Sequence, residues 1–221
     1  MSKIVIANWK ANKTLEEAIP WIEKVGQEIL ATGQKVILCP PSVFVIPLAA
    51  KIKEKNLQDF IILGSQNISH YARGAYTGEV APYQLTGFVK FTLVGHSDRR
   101  RYFGETSEQV AIKFNLAKEF GIAPVLCFDI SQLEEVFNLA YADLICAFEP
   151  VAAIGTGNPD TPENVKRVAT MVKSKNPTAK VLYGGSVTYE NVGDFLGVCD
   201  GALVGSASLS PDEFLKIISK I

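Results

Sequence analysis

Eight short apolar runs, rich in β-branched residues, recur along the chain at residues 3–9, 35–39, 60–64, 91–95, 123–128, 144–148, 181–183 and 202–205. They lack the polar alternation of a half-exposed strand, so each suits a strand buried on both faces. Between them lie stretches of helical periodicity with start and stop signals. Thr14 with Glu17, and Ser210 with Glu213, have capping-box spacing, and Pro211 stands at a first helical position. Thr161–Pro162–Glu163 opens another helix, while Gly33 and Gly121 close theirs. About eight strand–helix units is the number that closes a (β/α)8 barrel, more than an open doubly wound sheet needs. No Pro/Ser-rich linker or charge run divides the chain, so residues 1–221 read as a single α/β domain.

Composition narrows the partners. Lys and Arg number 22 against 23 Asp and Glu, a net charge of −1, so no basic field awaits nucleic acid or an anionic membrane. Any phosphate must be held locally, by a shaped site. With 48% hydrophobic residues the chain is too apolar for disorder. Cys39, Cys127, Cys146 and Cys199 are far apart, and three lie in apolar runs. They read as reduced, buried thiols of a cytoplasmic protein. The opening "MSKIVIANWK" is too short an apolar stretch for a signal peptide or a spanning helix.

In such a barrel the chemistry sits on loops that follow strand C-termini. After the first run come Asn8 and Lys10, two apart and so able to share one face, although a solvated strand end reads equally well from them alone. After the fourth comes "GHSDRRRYFGE", where His96 stands as a strand stops and a short helix begins. A helix N-terminus disfavours added positive charge and keeps an imidazole neutral, able to donate a hydrogen bond to a carbonyl oxygen. A packing histidine or plain helix cap is the other reading. His70, in the polar "NISHYARG", belongs to an exposed loop. After the sixth run stands Glu149, between Phe148 and Pro150, where apolar walls favour the protonated acid and poise a general base. A salt-bridge partner is the alternative. The uncharged "AIGTG" that follows suits a lid that excludes water, or an ordinary Gly-rich turn. The seventh and eighth runs end in "YGGSV" and "LVGSASL", whose glycines let backbone N–H groups crowd an anion.

Taken together, N-x-K, GHS-[acid]-RR, EPV-x-AIGTG, YGGSV, GALVG-x-A and the third-loop "GAYTGEV" run in order along almost the whole chain, and this set resembles the triosephosphate isomerase family. The resemblance implies a TIM barrel that interconverts dihydroxyacetone phosphate and D-glyceraldehyde 3-phosphate, with no metal and no cofactor. It implies Glu149 as base, His96 as electrophile, Lys10 as the charge that stabilises the enediolate, and Asn8 as the residue that positions the substrate oxygen. A Glu base, a neutral His electrophile and a closing loop are that family's standard description. Phosphate falls to backbone N–H groups near Gly155, Ser186, Gly205 and Ser206, with Ser97 and Asp98 supporting. The lid spans Pro150, Val151, Ala152, Ala153, Ile154, Gly155, Thr156 and Gly157. A homodimer is implied too, its third loop carrying Tyr76, Thr77 and Glu79 toward the partner's site, with Asn12 joining.

Several positions depart from the family pattern. Asp98 replaces a Glu one methylene longer, which displaces Lys10 or leaves the pair to be bridged by water. Ala152, Phe148 and the "CFDI" after strand five replace Trp, Tyr and Glu that make hydrogen bonds at the first hinge of the lid. Asn158–Pro159–Asp160 alters the second hinge, where Pro159 fixes φ. Ser206 stands where the family has a second glycine, and the short interval from Cys127 to Glu149 calls for a short fifth helix. Base, electrophile and lysine are all retained, which favours an active isomerase over another phosphate-binding barrel enzyme or a non-catalytic binding protein.

Overall fold

The computed structural model describes residues 3–139, 142–151 and 158–221. Its eight parallel strands close into one barrel in sequence order: β1 (Ile4–Asn8), β2 (Val36–Cys39), β3 (Ile61–Ser65), β4 (Phe91–Val94), β5 (Ala123–Phe128), β6 (Ile145–Phe148), β7 (Lys180–Tyr183) and β8 (Gly201–Val204). Every expected run forms a strand, with ends shifted by a residue or two. Around them run α1 (Leu15–Thr32), α2 (Val45–Glu54), α3 (Pro82–Leu85), α4 (Ser97–Phe103), α5 (Ser107–Glu119), α6 (Leu133–Asn138), α7 (Pro162–Lys175), α8 (Val192–Leu196) and α9 (Pro211–Ile218). No helix among the described residues is long and apolar enough to cross a membrane.

Buried side chains form two clusters, which explains the unbroken apolar runs. Ile6, Ile37, Leu93, Val125, Cys127, Ala147, Leu182 and Leu203 fill the barrel interior. Their neighbours, such as Val5, Ala7, Leu126, Phe148 and Val204, pack outward against the helices with Trp21, Phe114 and Phe214. Both faces of each strand are therefore apolar. Trp9 meets Trp21 edge-on at 5.1 Å, and the Trp21 indole N–H donates to the Ser208 carbonyl at 2.9 Å, tying α1 to the 3₁₀ turn that follows β8.

The helix signals act as expected, with one exception. Thr14 and Glu17 close a full capping box on α1, and Gly33 ends it at φ 72°. Thr161 accepts from the Asn164 N–H at the start of α7. Ser210 accepts from the Glu213 N–H, but the Glu213 carboxylate pairs with Lys216 instead of returning to close the box. The fifth helical unit is short, as its spacing requires: a 3₁₀ turn at Ile130–Gln132 followed by the six residues of α6. His70 lies in the loop after β3, whose residues 73–79 are exposed as expected, while His70 itself is half-buried with its ring 4.0 Å from Tyr71.

Candidate active site

Strand periodicity and register bring the chemical groups together. Ile6 and Ala147 point into the barrel. Counting by two from each reaches Asn8 and Lys10 on one strand end and Glu149 on another. Phe128 pairs with Phe148 and Phe148 with Tyr183, so β5, β6 and β7 end level and their next residues are neighbours. His96 needs a break in this rule, because strict alternation would send it outward with Val94. Gly95 supplies the break at φ 73°, and a Cβ there would lie 2.7 Å from Arg100 Nη2 and 3.2 Å from the Cys127 carbonyl.

These residues line a cleft of about 400 Å³ that also includes Gly184, Ser186, Gly205 and Ser206. Glu149 is 2% exposed, with Oε1 3.1 Å from His96 Nε2 and Oε2 accepting from the Ser97 N–H at 2.8 Å. His96 caps α4 through Nδ1, which accepts from the Asp98 N–H at 3.1 Å. A nitrogen that accepts carries no proton, so the ring is the neutral tautomer with its N–H on Nε2, facing Glu149.

The Asp98 carboxylate reaches Lys10 Nζ directly at 3.0 Å. The shorter acid therefore neither loses the lysine nor needs a bridging water. Lys10 itself sits at φ 52°, unusual for a residue with a side chain. Its N–H donates to Asn8 Oδ1 at 3.1 Å and its carbonyl accepts from Gln66 Nε2 at 2.8 Å, and these bonds hold the strained turn. Gln66 also donates to the Cys39 carbonyl at 3.0 Å. Sequence reasoning overlooked Gln66, although it follows the third strand where the other candidates follow theirs.

The glycines of "YGGSV" do more than expose backbone. A Cβ on Gly184 would lie 2.9 Å from Glu149 Cγ, and one on Gly185 would overlap the Tyr183 hydroxyl at 2.2 Å. Gly184 thus makes room for the carboxylate. The Tyr183 hydroxyl, pushed up to about 12 mainly by burial, accepts from the Asp160 N–H at 2.9 Å. Asp160 is held in turn by the Thr161 N–H and Asn164 Nδ2. The altered second hinge is therefore tied down. At the first hinge Val151 N–H donates to Asp129 Oδ2 at 3.2 Å, a contact the sequence did not suggest. Pro150 directly follows Glu149 and is buried, and Val151 lines a neighbouring cavity rather than the main cleft, whereas Ala152, Ala153, Ile154, Gly155, Thr156 and Gly157 lie outside the described residues.

Tyr76, Thr77, Glu79 and Asn12 are all exposed, Tyr76 stacking on Tyr71 at 3.6 Å. A second cleft of about 480 Å³ runs between the third loop and the site, lined by Lys10, Gln66, Glu79, Asp98, Arg99 and Phe103 among others.

A closed parallel barrel with this cleft at the C-terminal ends of its strands defines a (β/α)8-barrel enzyme. A family model described as triosephosphate isomerase matches residues 3–221. Proteins named triosephosphate isomerase from Nostoc punctiforme and Shewanella loihica are similar, at 36% and 34% identity. The first match covers 99% of this chain and 98% of the relative, the second 98% and 96%. A third, from Dehalococcoides mccartyi, is 34% identical over 98% of the chain and 96% of its own length. The chain belongs to the triosephosphate isomerase family, and it is an isomerase. The Nostoc alignment spans 248 positions, more than the 221 residues of this chain, so the relative carries segments that are missing here.

Proposed function

We propose that the protein interconverts dihydroxyacetone phosphate and D-glyceraldehyde 3-phosphate through an enediolate, without metal or cofactor, in glycolysis, gluconeogenesis and the pentose shunt of the cytoplasm. The observation that carries this reading is the facing pair of a buried Glu149 carboxylate and a neutral imidazole N–H, 3.1 Å apart, beside Lys10 in one cleft.

Glu149 takes the proton from the carbon next to the carbonyl and returns it to the neighbouring carbon. His96 Nε2–H donates to the carbonyl oxygen and moves protons between the two oxygens of the enediolate. Lys10 places positive charge beside the developing oxyanion, and Asn8, 4% exposed, orients the substrate oxygen. In the resting arrangement both oxygens of Glu149 are engaged by Ser97 and His96. The base exchanges these partners for substrate. Backbone N–H groups of Ser186, Gly205 and Ser206, with Gly155 of the lid, hold the phosphate, and residues 150–157 close over it. Binding that remote dianion helps to drive closure, so part of its binding energy lowers the barrier. Closure also keeps the enediolate from losing phosphate to give methylglyoxal.

Residues 1–221 act as one domain, and two copies form a homodimer. The exposed third loop with Tyr76, Thr77 and Glu79 enters the partner's second cleft, which Lys10 and Asp98 line, and Asn12 joins the contact from the main cleft. The direct test is a coupled assay of glyceraldehyde 3-phosphate formation from dihydroxyacetone phosphate. Turnover in the ordinary enzyme range, about 1–10³ s⁻¹, supports the reading. Folded protein that binds inorganic phosphate without turnover would overturn it in favour of a binding protein.

A further inference from the structure

Pro150 has no N–H, so the first backbone donor after Glu149 belongs to Val151. That N–H donates to Asp129 Oδ2 at 3.2 Å, while the Glu149 N–H donates to the Phe128 carbonyl at 2.8 Å. Two successive residues at the end of β5 thus grip the chain on either side of Pro150. Asp129 is itself a fixed post. Its Oδ1 accepts from the Ser131 N–H and hydroxyl, both at 3.1 Å, and its own N–H donates to Gln132 Oε1 at 2.7 Å. It shares a cavity of about 310 Å³ with Glu149, Ser97, Phe128, Gln132 and Val151, and is absent from the lining of the main cleft.

We propose that Asp129 is a positioning residue for the isomerisation: by holding the Val151 N–H it fixes the backbone that carries Glu149. The inference rests on the isomerase reading and deepens it. Asp129 meets no substrate, so it acts on where the carboxylate arrives rather than on how tightly phosphate binds. A displacement of about 1 Å at a reacting group can cost on the order of a hundredfold in rate.

Two variants separate this role from simple capping of the 3₁₀ turn. Asp129→Ser keeps a good capping oxygen for the Ser131 N–H but is too short to reach Val151. Asp129→Asn keeps the length while bringing an amide that can serve only one of the two backbone donors as acceptor. Both are compared with the wild type for thermal midpoint, kcat, KM and inhibition by inorganic phosphate. The expected result is a kcat lowered about tenfold, with KM and phosphate inhibition within about twofold and the thermal midpoint nearly unmoved. A kcat within about twofold of wild type in Asp129→Ser overturns the inference while leaving the isomerase reading intact, and so does a fall in kcat matched by a collapse of the thermal midpoint. A wild type without turnover sinks the isomerase reading, and the inference falls with it.

Discussion

Glu149 is almost wholly buried, yet both its oxygens are served by groups it can exchange: the Ser97 N–H and the His96 ring. Unmatched charge at such a site would be very costly, so the partners permit the carboxylate to be there at all. The room it occupies is equally specific. Gly184→Ala would drive a methyl group to within 2.9 Å of Glu149 Cγ. We expect that variant to fold but to lose at least tenfold in kcat, measured by the coupled assay beside a thermal melt. At this scale much was legible. Asn8, Lys10, His96 and Glu149 could be named because each stands at the end of an apolar run; strand parity turns Asn8, Lys10 and Glu149 to one mouth, and the positive φ of Gly95 brings His96 there against parity. Asp129 was not, since its contact with Val151 joins residues far apart in sequence through a backbone donor that every residue but proline possesses. The role of Gly184 was hidden for the same reason: a glycine's value lies in what its missing side chain would have struck.

Among the elements, the strands and most helix ends follow from local chemistry. Thr14 and Glu17 bond reciprocally at 2.7 and 3.3 Å across the start of α1, as the spacing indicates. Thr14→Ala should cost about 1 kcal/mol, read as a modest drop in thermal midpoint with unchanged kcat. The failed closure at Ser210 and Glu213 shows the limit of such patterns. A lysine one turn along, at Lys216, competes for the carboxylate, and spacing alone does not decide between them. Gly201 opens β8 where a Cβ would lie 1.9 Å from the Ile4 carbonyl. Gly201→Ala must push β1 and β8 apart, so it should lower the midpoint sharply, well beyond the Thr14→Ala change. Equal effects of the two variants would contradict the close approach of these strands.

For the whole molecule, the barrel was legible because eight two-faced strands have few ways to bury themselves. The proposed second subunit was readable only through the family resemblance, since the third loop that would meet it consists of ordinary polar and aromatic residues. Thr77→Arg is expected to give monomers with poor turnover, seen by sedimentation and the coupled assay together. An active dimer of that variant would exclude this interface. Solution pH probes the core. Burial raises Cys39, Cys127, Cys146 and Cys199 above the usual thiol value of 9.0, and Tyr183 to about 12. The folded chain therefore keeps protons that the unfolded chain releases above about pH 9. Stability from these groups is complete below that point and falls as pH rises past it, so the thermal midpoint should be lower at pH 10 than at pH 8. The same burial predicts thiols that react with a disulfide reagent only after unfolding.

The central claim is that Glu149 carries the proton, and shortening it by one methylene tests this most directly. Glu149→Asp retains the carboxyl group and leaves the proposed phosphate-binding backbone alone while withdrawing the carboxylate. We predict a kcat reduced by about a hundredfold or more, with KM changed by much less, in a protein that melts near the wild-type midpoint. A kcat equal to that of the wild type would mean that another group is the base.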